Sequence, residues 1–394
     1  MRLEPEMEVR KVRFPWARIG TPSLTALAAT FACLATGVLA PVPASASAIS
    51  PNSLAPSVRY VACPDGATSV VTTPANGFNP LTATDAQLLA NNLPPRPATG
   101  STEPLSVWQR FVTTYRSKAD CTPATDGQTT GLQGPHSALQ PLSPSERVAG
   151  TGALAAAGDV HSANWAGNIA TGTYWNDAYG TFQIQVPEAP ASSCAYSVQW
   201  VGIGQGKNST YPLVQAGSKD NACYGRSDQT IALWWEQVWN GGGNGSQTVY
   251  SGAHAGDYIW VHINVPNDCG RPTMTIEDDT TLWGASYEGP WTACSDGTAE
   301  WILERPDLNN TYPMLANASV QFWDATVGGP GVVDAGVGNV PHYLNTMWDC
   351  TNGPDYRLAY PGPITSGGTS ELQQYENIWQ NYGVATTIPD CTVG

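Results

Sequence analysis

From about His161 onward, the chain consists of short segments in which apolar and polar residues alternate, and this pattern limits its fold most. Gly, Asn, Asp and Pro separate the segments, and alternation with period two over such lengths is typical of β-strands with one buried face. No helical periodicity competes with it. Residues 161–394 are therefore predicted to be all-β, an antiparallel β-sandwich of two packed sheets. Clear examples are GTFQIQVP (180–187), YSVQWVGIG (196–204), TIALWWEQVW (230–239), DYIWVHINV (257–265) and ASVQFWDATV (318–327).

Residues 1–48 have the features of a secretory signal peptide. Four basic residues between positions 10 and 18 precede an uncharged stretch from about 24 to 40, and PVPASASA follows with small residues in A-x-A spacing. The uncharged stretch is slightly shorter than the roughly 20 residues of a membrane span. We therefore expect export, a secreted (extracellular) protein, and no membrane association after the leader is removed.

Residues 49–160 are rich in Pro, Ala, Thr and Ser, with one candidate helix at 85–93 and one apolar-aromatic segment at 105–115. Positions 121–158 are nearly all small or polar, which favours an exposed, cleavable linker. We interpret residues 49–160 as a poorly structured propeptide that inhibits the rest of the chain. A weakly folded N-terminal domain held by one disulfide is the alternative.

Of the nine cysteines, Cys33 lies in the leader and eight follow it. An even number in an exported chain indicates disulfides, and the absence of any C-x-x-C pair disfavours a zinc or redox site. Spacing alone leaves the connectivity open. Pairing sequence neighbours predicts Cys63–Cys121, Cys194–Cys223, Cys269–Cys294 and Cys350–Cys391.

Negative charge is concentrated in the predicted sandwich. Residues 160–394 hold 6 Lys and Arg against 22 Asp and Glu, a formal net charge of 6 − 22 = −16. Nucleic acids and anionic membranes bind basic surfaces, so neither is an expected partner. In acid the carboxylates protonate and few charges remain, which suits the domain to low pH, although ordinary solubility at neutral pH explains the same composition.

Several common hydrolase motifs are missing. The chain has no H-E-x-x-H, no G-x-S-x-G and no Asp-Thr/Ser-Gly. None of the four histidines after residue 160 lies beside an obvious nucleophile, and His262 is interpreted as an ordinary strand residue. Metal, serine and cysteine mechanisms are therefore poorly supported, and no cofactor is expected.

Five segments occur in the order of landmarks of the eqolisin (glutamic peptidase) family, which the chain resembles over the whole predicted sandwich. Each segment is weakly specific alone, and the ordered set is more specific. The segments are SANWAG (162–167), QWVGIG (199–204), LVQAG (213–217), LWWEQVW (233–239) and AEWILERP (299–306).

The resemblance implies an acid endopeptidase with a concanavalin-like sandwich, acting on polypeptides. It implies Gln215 and Glu304 as the catalytic pair, with Glu304 rather than Glu300 as the glutamate. Trp200, Trp234 and Glu236 match supporting positions and are interpreted as substrate-binding residues. Two departures are Gly204 and Ala232, where the family often has an Asp that would support the catalytic residues.

Strand alternation is consistent with this set, because Gln215 with Leu213, Trp234 with Glu236, and Glu300 with Glu304 each share a strand face. Ionised Glu304 would activate a water, and the Gln215 amide would donate to the oxyanion and help to lower the pKa of Glu304. A monomer is expected. We expect the propeptide to bind the acidic catalytic face at neutral pH through its basic residues Arg96, Arg110, Arg116 and Lys118.

A carbohydrate-active β-sandwich is the main rival interpretation. Glycoside hydrolases use two carboxylates in a cleft, and Glu236 and Glu304 on one Trp-lined face fit that pattern. A sugar-binding module would also use exposed aromatic residues. Gln215 distinguishes the candidates, because only the peptidase mechanism needs its amide.

Overall fold

The computed structural model describes a folded N-terminal segment and most of a β-sandwich. The predicted leader, most of the predicted linker and the Cys350–Cys391 pair lie outside the described residues. Those residues are 55–64, 66–97, 101, 103–121, 157–162, 164–189, 194–204, 213–223, 229–239, 243–294, 296–306, 313–316, 319–329, 332–348, 357–361 and 371–374.

One sheet, called sheet I, is mostly antiparallel and carries all five predicted site residues. In spatial order, the main strands of sheet I are β3 (Ala157–Ser162), β17 (His342–Trp348), β4 (Trp165–Trp175), β13 (Asp296–Glu304), β6 (Cys194–Ile203), β7 (Leu213–Cys223), β8 (Thr230–Trp239) and β9 (Gly243–Tyr250). A further short strand, β14 (Met314–Leu315), lies parallel to the start of β6.

The other sheet, sheet II, is antiparallel and ends in a hairpin from the N-terminal segment. In spatial order, the main strands of sheet II are β1 (Ser57–Ala62), β2 (Thr68–Thr73), β12 (Trp283–Glu288), β11 (Thr273–Asp278), β10 (Tyr258–Asn264), β5 (Asp177–Gln183) and β15 (Ser319–Gly329). Two shorter strands, β16 (Val332–Gly336) and β19 (Glu371–Gln374), both lie beside β15. β18 (Arg357–Pro361) pairs with β17 and β19.

The main hydrophobic core lies between the two sheets. Val201 and Val214 of sheet I pack in one cluster with Val261 and Ile276 of sheet II. Alternation along each strand sends the intervening residues to the outer faces. The all-β sandwich predicted from the alternating segments is confirmed, and the site residues lie on the outer face of sheet I.

The N-terminal segment (residues 55–121) is folded where the structure describes it, contrary to the expectation of a poorly structured propeptide. β1 and β2 form a hairpin, followed by α1 (Asp85–Ala90) and α2 (Leu105–Thr114). A capping box between Thr84 and Gln87 starts α1. The physical reason for the order is a second small core, which buries Leu88, Leu93, Trp108, Phe111, Val112 and Tyr115.

Three of the four basic residues that were expected to bind the face of the predicted site make their contacts elsewhere. Arg96 lies over the Trp108 ring and donates to the Leu81 carbonyl within the segment. Arg110 donates to the carbonyl of Thr280, in the turn that joins β11 to β12. Arg116 donates to carbonyls of its own helix end.

Three of the predicted disulfides are present: Cys63–Cys121, Cys194–Cys223 and Cys269–Cys294. Each joins residues within the N-terminal segment or within the sandwich. The first strand of sheet I begins at Ala157 and pairs with β17, so the predicted boundary between 160 and 161 falls inside β3.

Candidate active site

Glu304 lies at the end of β13, on the outer face of sheet I. Its register partners are Trp165 on β4 and Val198 on β6. The Trp200 indole donates to Glu304 Oε2 at 2.8 Å, and the Asn164 amide donates to Oε1 at 3.3 Å. The carboxyl group is therefore held by N–H donors from neighbouring parts of the sheet.

Gln215 lies on β7, directly opposite Glu236 of β8 and Gly202 of β6. Its amide nitrogen donates to Glu236 Oε2 at 2.9 Å. Because a carboxylate accepts only from the nitrogen end of an amide, this contact fixes which way the Gln215 amide is oriented. The contact joins Gln215 to Glu236, whereas the sequence had suggested Gln215 as a donor to Glu304.

Trp200 connects the two halves of the site. Its indole N–H contacts Glu304, and a Cβ added at Gly202 would lie 2.8 Å from its benzene edge. Gly202 is the register partner of Gln215, so the indole extends along the sheet from Glu304 toward Gln215. Register places Trp234 in the same row as Trp200, with Gly217 between them. All five predicted residues therefore share one face of sheet I.

This face is closed in the described structure. Gln215 is 0 % exposed, Glu304 1 % and Trp234 7 %. Trp165, Trp200, Trp234 and Ile302 pack in one apolar cluster on the same face. A peptide reaches these residues only after the face opens.

Burial raises the pKa of Glu304 well above its ordinary value. The hydrogen bonds from Trp200, Trp165 and Asn164 act in the opposite direction, and the nearby charge of Glu236 raises the pKa further. In the closed state burial therefore favours the protonated form of Glu304, and the donors oppose this effect.

Asn164 is a site residue that the sequence reasoning did not single out. Its main-chain carbonyl accepts from the nitrogen of Arg305 at 2.8 Å, which holds it beside the end of β13. Its side chain contacts Glu304. The sequence feature that could have identified Asn164 was its position in SANWAG, one of the five ordered segments.

Arg305 is buried on the opposite side of β13 and donates to the Pro313 carbonyl at 2.7 Å. Glu300 lies on the site face, in the row of Gly202 and Gln215. Alternation therefore places both glutamates on the correct face and does not choose between them.

The two departures from the expected aspartates have different surroundings. Gly204 has φ of 125°, which strains any residue with a Cβ, and its carbonyl accepts from the Thr298 hydroxyl at 2.9 Å. An Asp at 204 is therefore disfavoured by this backbone. Ala232 lies opposite Lys219 in the same row as Glu304, and the Lys219 ammonium contacts the Thr248 hydroxyl.

Within the described residues, no group of three or more His, Cys, Asp and Glu side chains has the arrangement of a metal site. In that same part of the chain, no helix is both long and apolar enough to cross a membrane.

Residues 163–349 match the model of the Peptidase A4 family. A solved structure of scytalido-glutamic peptidase with a peptide-based transition-state analogue is 19 % identical, covers 54 % of this chain and 98 % of that chain, and has a TM-score of 0.42. Aspergilloglutamic peptidase from Aspergillus niger is 21 % identical, with 46 % and 99 % covered and a TM-score of 0.36. SCP-B, an eqolisin in a complex with the tripeptide Ala-Ile-His, is 17 % identical, with 54 % and 98 % covered and a TM-score of 0.39. No curated protein matches the chain.

Proposed function

We propose, from the membership of residues 163–349 in the Peptidase A4 family, that this chain is a secreted acid endopeptidase with Glu304 and Gln215 as its catalytic pair. The match supports a peptidase that acts on polypeptides rather than the carbohydrate-active alternative. One observation carries the assignment of roles: on a single face of sheet I, Trp200 and Asn164 donate to Glu304 while Gln215 donates to Glu236.

In this mechanism Glu304 first accepts a proton and then donates it. Its carboxylate accepts a proton from a water as the water oxygen attacks the scissile carbonyl carbon. The same proton then passes to the leaving nitrogen as the C–N bond breaks. Entry of substrate and water relieves part of the burial that raises the pKa of Glu304, while its N–H donors stay in place, and this favours ionisation in acid.

Gln215 stabilises the oxyanion. One of its two amide hydrogens is directed to Glu236, which leaves the other for the oxygen of the tetrahedral intermediate. Glu236 therefore positions the amide, and we revise its predicted role from substrate contact to orientation of Gln215. A neutral amide donates equally well across the acid range, which suits an enzyme that works at low pH.

The aromatic residues of the face bind the peptide. Trp200 and Trp234 lie in one row on either side of Gly217 and provide apolar surface for an extended substrate. We propose that this surface becomes accessible when the chain is cut N-terminal to the sandwich, so that the intact chain is an inhibited precursor. The steps above use side chains and water only.

Turnover by Gln215→Ala tests the mechanism. Loss of an oxyanion donor lowers kcat by about 10²–10³-fold, so the variant should lose nearly all acid proteolysis. The measurement is digestion of casein from pH 2 to 7 with pepstatin present, on chain cut before residue 157. Gln183→Ala is a matched control, because Gln183 lies on sheet II rather than on the sheet that carries the site, and it bonds the main-chain carbonyl of Gly256. Acid proteolysis retained by Gln215→Ala would exclude this role for the amide.

A further inference from the structure

The N-terminal segment docks on sheet II through ordered main-chain pairing. β2 pairs with β12 through Val70–Ser286, Ser69–Tyr287 and Thr68–Glu288. β2 therefore covers the edge that β12 would otherwise present. An exposed edge strand promotes aggregation, so removal of the segment would expose the edge of β12 and make the sandwich prone to aggregate.

Side chains extend this contact beyond the strand pair. Leu282, in the turn between β11 and β12, packs against the core of the segment, and it does so with a positive φ of 63°. Tyr115 of the segment lies over Gly284, where an added Cβ would be 3.0 Å from its ring. Leu89 of α1 packs with Tyr179 and Trp260 on the outer face of sheet II. Such packing is typical of a folded domain that is bound to the sandwich rather than of a loosely attached segment.

Buried carboxyl groups meet at the same interface. Glu103, just before α2, faces Asp279 of the β11–β12 turn and the charge of Asp324 on β15. Asp279 also faces its strand neighbours Glu277 and Asp278. Glu103 is 5 % exposed and Asp324 7 %, and Glu277, Asp278 and Asp279 are at most 1 % exposed.

Other titratable and charged groups surround this cluster of carboxyls. Tyr115 faces Glu277, and Tyr287 and Asp120 lie near Tyr115. Asp278 faces Asp257, which is close to His254. Arg110 donates to the Thr280 carbonyl at the exposed rim.

We propose that residues 55–121 remain bound to the sandwich as a non-covalent second chain after the connection to residue 157 is cut, and that acid strengthens this binding. The only covalent link of the described segment beyond the chain itself is Cys63–Cys121, which is internal to it. The inference concerns the interface and does not depend on the proposed catalytic residues; only the background used in its test relies on the proposed role of Glu304.

The direction of the pH effect follows from linkage. Burial raises the pKa of Glu103 from 4.5 to about 7 and that of Asp278 to about 6, and it raises the pKa values of Glu277 and Asp279 well above the ordinary range. A group with a raised docked pKa stabilises docking fully below its undocked pKa, and this contribution is lost as pH rises through the docked pKa. For Glu103 the window runs from pH 4.5 to about 7.

The test uses the full chain with a recognition sequence for a specific protease inserted between residues 122 and 156, in a Glu304→Gln background that prevents self-digestion. After cutting, size-exclusion chromatography over a dilution series gives the apparent Kd of the segment from pH 4 to 8. We expect co-elution at pH 4, with Kd rising by up to about tenfold per pH unit for each carboxyl that ionises. Release at pH 4, or a Kd that does not change with pH, would overturn the proposal.

Two variants separate the carboxyl effect from general packing. Glu103→Gln keeps the shape without an ionisable group, so its Kd should rise less between pH 4.5 and 7 than that of the parent. Glu188→Gln, at an exposed glutamate of the sandwich, is the matched control and should keep the parent profile. Leu282→Ala should weaken binding by the same factor at every pH. An unchanged pH profile in Glu103→Gln would show that this carboxyl does not drive the effect.

Discussion

Glu304 in sheet I and Glu103 before α2 are both buried carboxyls, and burial raises the pKa of both. Their neighbours differ. Glu304 has N–H donors from Trp200, Trp165 and Asn164, whereas Glu103 faces other carboxyl groups. N–H donors stabilise the ionised form of an acid, and a second carboxyl stabilises a shared proton.

The difference separates a group that can change its charge during a reaction from a group that holds its proton. Around Glu304, opening of the face adds water, and the donors then act in favour of the carboxylate. Around Glu103, ionisation creates repulsion with Asp279 and Asp324, so the docked state requires protonation. The first arrangement fits the proposed catalytic role of Glu304, and the second fits the proposed acid-stabilised docking.

The largest expected effect comes from removing the titrating group of the site. Glu304→Gln should lower acid proteolysis by about 10²–10⁴-fold, because the proton can no longer be accepted and returned. Glu300→Gln is the matched comparison, since Glu300 lies two alternation steps away on the same face. The measurement is kcat on casein at acid pH, with circular dichroism to confirm the fold of each variant.

These two variants separate the glutamates that alternation leaves equivalent. We expect Glu300→Gln to retain most of its activity. If instead Glu300→Gln were inactive and Glu304→Gln active, the catalytic glutamate would be Glu300, and the donors around Glu304 would have a structural role.

A smaller effect should follow from removing one donor. Trp200→Phe deletes the N–H that contacts Glu304 Oε2 and keeps an aromatic ring. Without this donor the pKa of Glu304 rises, so the acid limb of the kcat profile should move to higher pH and activity at a fixed acid pH should fall about tenfold.

Trp301→Phe is the control for that change. Its indole N–H donates to the Tyr179 carbonyl in the core between the sheets. Both variants lose a buried indole hydrogen bond, and only Trp200→Phe should move the pH profile. A shift of equal size in both would mean that the profile reports stability rather than the state of Glu304.

The sandwich and the face that carries the site followed from the sequence because both depend on local alternation. Gln215, Glu236 and Glu304 share a face through strand periodicity, and register in the structure places them there. The contact from Gln215 to Glu236 was not predictable, because it requires β7 and β8 to be neighbours with a defined register. Asn164 was missed for the same reason, since it meets Glu304 across 140 residues of sequence.

The docked N-terminal segment was the least predictable part. Its composition, rich in small and polar residues, resembles that of unstructured chains, yet a few apolar residues on α1 and α2 suffice for a core. The contact with the β11–β12 turn joins residues far apart in sequence, and Glu103 has no local pattern that marks it as buried. Composition over a whole region therefore concealed a folded unit within it.

The smallest expected effect tests whether the interface carboxyls have a counter-ion. Arg110 bonds the Thr280 carbonyl at the solvent-exposed rim, so Arg110→Ala should lower the free energy of unfolding by only about 0.5–1 kcal/mol. A carbonyl does not titrate, so the loss should be equal at pH 4 and pH 7, as measured by thermal unfolding, with exposed Arg59→Ala as the control. A loss that is clearly larger at pH 7 would show Arg110 neutralising the ionised Glu103 and Asp279, and the contrast with Glu304 would then rest on distance from a cation rather than on N–H donors.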